Sequence, residues 1–112
     1  MPQTNSALMS GVPELLVLKL LAAREMYGYE IARAIRTLTS EAVSVGEGVL
    51  YPALHAMEVR GLLRTKRRAV AGRTRVYYAI TAKGRNRLER LAADWQRISG
   101  GVAAVFGAAD HA

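Results

Sequence analysis

The chain has 112 residues, 51% of them apolar, and carries sixteen Lys and Arg against nine Asp and Glu for a formal net charge of +7. That length makes one domain and leaves no room for a second. There is no cysteine and only two histidines, His55 and His111, so disulfides, thiolate zinc sites and thiol redox sensing are excluded, and neither a metal centre nor a cofactor is expected.

The N-terminus MPQTNS has no basic run before an apolar stretch, so no secretory signal is expected. Residues 1–9 read as a loose arm. A first helix opens at Ser10-Gly11-Val12-Pro13, with proline in the first turn, where its missing N–H costs nothing. Leu15, Leu16, Val17, Leu18, Leu20 and Leu21 make it apolar almost all round, so it should be largely buried. The run Leu15–Ala23 is broken by Lys19 and too short for a bilayer, which places the protein in the cytoplasm with no membrane partner. Tyr27-Gly28-Tyr29 marks a turn into a second helix, whose Ile31, Ile35 and Leu38 form an inward stripe. Thr39 to Gly46 is a connector.

A third helix starts at Gly46-Glu47, with glycine as a tolerable N-cap and Glu47 favourable against the helix dipole. Leu50, Leu54 and Met57 share its core face, and Gly48, Tyr51, Pro52 and His55 fall on another. Pro52 removes one backbone bond inside the helix, where a local kink is expected, and Gly61 ends it. Leu62–Arg68 and Arg73–Ile80 are strand-like, joined by the loop Ala69-Val70-Ala71-Gly72. In the second run Thr74, Val76, Tyr78 and Ile80 alternate with Arg73, Arg75 and Tyr77, which sends the arginines to the opposite face.

Thr81 then caps a last helix. Leu88, Leu91, Trp95, Ile98, Val102 and Val105 follow at spacings of 3 and 4, an a/d seam. A helix from Ala82 to Phe106 is roughly 37 Å long, too long for a body of about 70 residues to cover, so the seam is expected to pack on a second copy. Gly100-Gly101 weakens this helix, and folding back on its own core is the alternative. The expected fold is mainly α with a small β-hairpin: a winged helix-turn-helix over residues 10–80, a dimerisation helix over 81–107 and a disordered tail at 108–112.

Charge and fold agree on a partner. Residues 60–90 hold eleven Lys and Arg and the one acid Glu89, a net of +10, while the rest of the chain is −3. A compact helix beside a basic hairpin is the working end of a winged helix, and its natural partner is duplex DNA. Gly48 would let backbone approach a phosphate, and Tyr51 and His55 are candidate base readers. Lys66, Arg67, Arg68, Arg73 and Arg75 are the phosphate candidates, which set affinity and salt dependence more than sequence choice. No Ser/His/Asp set, paired carboxylates or phosphate-cradling glycine loop is present, so an enzyme is not expected. Two other readings stay open. One is a winged helix that binds nucleic acid without sequence choice, or binds a protein; the other is a small-molecule-binding dimer that has lost DNA binding.

Three stretches in register, ELLVLKLLAAREMYGYEIARAI, EGVLYPALHAMEVRGLL and GRTRVYYAITAKGRNRL, closely resemble the bacterial transcriptional regulators of the PadR family over about residues 12–90. The resemblance implies a homodimeric winged helix-turn-helix that binds palindromic operator DNA as a repressor, in the compact branch with one C-terminal helix. It gives Tyr51, Pro52 and His55 the recognition-helix role and Arg73 and Arg75 the wing role, and assigns the dimer to the last helix. Trp95 takes the position where some compact members have an aromatic residue lining an interface pocket for planar drugs or phenolic compounds. The chain departs from the family pattern at Val49, where Ser or Thr is common, and at Gly46, where Ser often caps the helix. Valine cannot donate to a phosphate, so affinity should lean on the wing.

Overall fold

The structure, a computed structural model, describes residues 11–111, so the expected N-terminal arm lies outside the described residues. Helix α1 (Val12–Ala23) begins after Gly11, whose φ of 82° is left-handed, and places Pro13 in its first turn. Val17, Leu18 and Leu21 are buried, while Leu15, Leu16 and Leu20 are half-buried. A two-residue strand β1 (Met26–Tyr27) follows, where only a turn was expected. Helix α2 (Gly28–Leu38) starts directly from it, and the Glu30 carboxylate accepts the Tyr27 N–H at 3.2 Å to close the first turn. Ile31 and Ile35 are buried as the stripe requires, but Leu38 is 73% exposed, because α2 outruns the core in its last turn.

The connector is held by one side chain. The Thr39 hydroxyl donates to the Ile35 carbonyl at 2.7 Å and accepts the Val43 N–H at 3.1 Å, while Ser40 and Glu41 take positive φ. Helix α3 (Glu47–Val59) runs unbroken through Pro52 and buries Leu50, Leu54 and Met57. Gly61, at φ 78°, ends it as expected.

Strands β2 (Leu63–Val70) and β3 (Arg73–Ile80) form the hairpin, and β1 adds to the free edge of β3, giving the sheet order β1-β3-β2. Val70 pairs with Arg73, so the turn is Ala71-Gly72 alone, with φ of 51° and 78°. A turn with both central residues at positive φ matches the twist of the strands, so Ala69 and Val70 join β2 where a four-residue loop was expected.

Helix α4 (Ala82–Asp110) begins with the Thr81 hydroxyl accepting the Gly84 N–H at 3.0 Å. Gly84 is buried where α4 passes Leu62, just before β2, and a Cβ there would overlap the Leu62 carbonyl oxygen. The helix continues to Asp110. At 29 residues it is roughly 43 Å long and helps stretch the molecule to 61 × 34 × 21 Å. The core lies between α1, α2, α3 and the inner face of the sheet. Among the described residues no helix is long and apolar enough to cross a membrane.

Candidate nucleic-acid interface

The N-terminal turn of α3 is open. Gly46 caps it without a side-chain bond, and its carbonyl receives the N–H groups of Val49 and Leu50 at 3.1 and 2.8 Å. A Cβ placed on Gly46 or Gly48 would meet no atom within 4 Å among the described residues, which leave this backbone open. Unfilled N–H groups and the positive end of the helix dipole favour an anion there. Val49 is 59% exposed beside them and offers no hydrogen bond.

The four residues expected off the core face are all exposed, yet they are not equivalent. Pro52 and His55 project with no partner among the described residues. Tyr51 has a structural task as well. Its ring lies on Gly28 at the start of α2, where an added Cβ would come within 2.6 Å of the phenol oxygen. Gly28 is therefore small because Tyr51 docks α3 on α2, and 43% of the tyrosine still faces outward. Behind it, burial first, then the Glu58 carboxylate and Tyr51, raise the pKa of Tyr78 above its ordinary value.

The strand register divides the basic cluster of the wing. Lys66, Arg68, Arg73 and Arg75 share the outer face with Tyr27 and Tyr77, whereas Arg67, opposite Val76, lies on the inner side with Thr65 and Tyr78. Thr65 donates to the Glu58 carboxylate of α3 at 3.0 Å, so this inner side is the one turned toward the recognition helix. The outer face is a layered surface. Tyr27 stacks with Tyr29 at 6.4 Å and meets Tyr77 edge-on at 5.5 Å. The Arg75 guanidinium sits 4.5 Å above the Tyr27 ring, and that of Arg68 4.8 Å above Tyr77.

Acids from the N-terminal half enter this region, which a count along the chain could not reveal. Glu25 contacts Arg68 and lies 3.4 Å from Lys66. Glu14 contacts Arg60 and lies 3.2 Å from Arg87. The net of +10 over residues 60–90 is thus partly offset in space. Arg67 and Arg73 form no ion pair among the described residues. Glu25 had no signal of its own; it reaches the wing only because β1 zips Met26 onto Tyr78.

The a/d seam of α4 also divides. Leu88 and Leu91 are half-buried against the protomer's own core, whereas Trp95, Ile98, Val102 and Val105 are each more than half exposed, and Phe106 joins them at 66%.

Three packed helices with a hairpin behind the third, and an open recognition-helix terminus beside it, define a winged helix-turn-helix of the DNA-binding class. Residues 17–90 match the Transcriptional regulator PadR-like family, and the chain belongs to that family. A transcriptional regulator from Clostridium thermocellum superposes with a TM-score of 0.80 at 26% identity, covering 88% of this chain and 96% of that one. A PadR-like transcriptional regulator from Bacillus cereus gives 0.79 at 31% identity, over 89% and 96%. The transcriptional regulator Rv3488 of Mycobacterium tuberculosis is 39% identical over 64 residues, 57% of either chain. The chain is thus a DNA-binding transcriptional regulator and not an enzyme.

Proposed function

We propose that the chain works in the cytoplasm as a homodimeric repressor that binds a palindromic operator and answers to a small-molecule effector. The observation that carries this reading is the bare half of α4. Trp95, Ile98, Val102, Val105 and Phe106 present apolar surface along about three turns with no covering element among the described residues. Exposed apolar surface of that extent marks an interaction site. A second copy of the same seam, packed as a two-helix coil, fits the 3-and-4 spacing. Leu88 and Leu91 would then extend the interface from its inner end, where each already rests on its own core.

In the dimer, each protomer lays α3 into a major groove, with Gly48 at a phosphate and Tyr51, Pro52 and His55 toward the bases. The wing arginines grip the backbone beside it. Two such modules held at fixed separation read two half-sites, and a planar aromatic effector seated at Trp95 would change that separation through α4. The dimer is tested by sedimentation of Trp95→Glu, which places a carboxylate in the seam. The variant should run as a folded monomer and lose operator affinity at least tenfold; a Trp95→Glu protein that still sediments as a dimer contradicts the seam. The repressor reading is tested by footprinting on DNA upstream of the protein's own gene, where a protected pair of symmetric half-sites is expected.

A further inference from the structure

Where the C-terminal end of α3 meets the first turns of α4, the chain forms a second basic site that faces away from the recognition-helix terminus. A cavity of about 230 Å³ is lined by Arg60, Leu62, Lys83, Arg87 and Arg90. Lys83, Arg87 and Arg90 are at i, i+4 and i+7, one face of α4, and Arg60 comes from the C-cap of α3. We propose that this cavity is a binding site for a small divalent oxyanion, a phosphate or a compact dicarboxylate.

Four cations line the cavity, and the carboxylate bonded to them is Glu14, which contacts Arg60 and reaches Arg87 at 3.2 Å. That leaves an excess of about three positive charges in a partly enclosed space, where screening by water is weakened. The Arg87 Nε–H is buried with no acceptor, a polar group whose desolvation is uncompensated until an oxygen reaches it. Arg90 forms no ion pair or hydrogen bond among the described residues. Lys83 is held in place by donating to the Arg60 carbonyl at 2.7 Å, so the ammonium is positioned before any ligand arrives. Guanidinium groups suit bidentate contact with carboxylate or phosphate oxygens. The volume exceeds that of several waters at about 30 Å³ each, which admits such an anion.

The location gives the site a consequence. It joins the end of the recognition helix to the start of α4, so an anion that pulls Arg60 toward Arg87 and Arg90 acts on the angle between those helices. DNA backbone is a different occupant of the same charges, and the test separates the two without using DNA. The full-length protein is titrated calorimetrically with inorganic phosphate and, separately, with succinate, against chloride at matched ionic strength. Saturable binding of at least one of the two is expected, weakened tenfold or more in Arg90→Gln and in Lys83→Gln and unchanged in Arg73→Ala; which anion binds more tightly fixes the ligand class. Arg90→Gln removes no hydrogen bond or ion pair from the protomer, so its fold should survive, and circular dichroism checks this. Absence of saturable binding by either anion, equal binding in Arg90→Gln, or loss of binding in Arg73→Ala would each overturn the proposal.

Discussion

The unpaired and the paired cations of the hairpin are the same residue types and do different things. Arg67 on β2 and Arg73 beside the Ala71-Gly72 turn are exposed and without an acid among the described residues. Lys66 and Arg68, on either side of Arg67 in the chain, are held by Glu25, and Arg68 lies over Tyr77. Arg75 is intermediate, half-buried on Tyr27 with no carboxylate. A cation already satisfied within the fold must give up that partner before it neutralises a phosphate, whereas a free one releases counterions at no such cost. Basic residues in a wing therefore contribute by their freedom more than by their number.

The largest effect is expected at the unpaired cations. Arg67→Ala with Arg73→Ala should weaken binding to a random-sequence duplex by at least about 100-fold, at about 1.5–3 kcal/mol for each charge-assisted hydrogen bond removed. A loss below about fivefold in a gel-shift titration would remove this pair from the interface. Arg75→Ala comes next, at roughly tenfold, because its stacking on Tyr27 orders the guanidinium but leaves its donors open. Lys66→Ala or Arg68→Ala should each cost less than either unpaired arginine, by up to about fivefold, since the exposed ion pair with Glu25 offsets at most about 1 kcal/mol of a phosphate contact. The smallest change has the opposite sign. Glu25→Gln frees both cations and should tighten DNA binding by about two- to fivefold, with no change in oligomeric state. A weaker-binding Glu25→Gln would mean that the carboxylate orders the wing and does not compete with DNA.

These distinctions mark the boundary of what the chain itself discloses. Helices α1, α3 and α4 and the hairpin were legible because each repeats a side-chain pattern over many residues, and the family motifs run across most of them. The open α3 terminus was legible too, from two glycines around Glu47. The pairing of Glu25 with the wing was not, because β1 is two residues long and offers no periodicity to read. Arg67 looks like its neighbours in sequence and is separated from them only by the register Arg67↔Val76. Leu38 fits the stripe of α2 and is exposed only because the core ends before the helix does. Tyr51 required knowing that Gly28 faces it. In each case the missing information was a contact between segments far apart in the chain or the extent of the packed core.

The division of labour in the wing is tested most directly by the salt dependence of binding to one duplex. Log affinity is measured against log salt for the wild type, Arg67→Ala/Arg73→Ala and Lys66→Ala/Arg68→Ala. Removing one phosphate contact lowers the slope by about one, so loss of the unpaired Arg67 and Arg73 should flatten it by about two and loss of the paired Lys66 and Arg68 by less than one. Equal flattening by both double variants, or a larger change from Lys66→Ala/Arg68→Ala, would contradict the account.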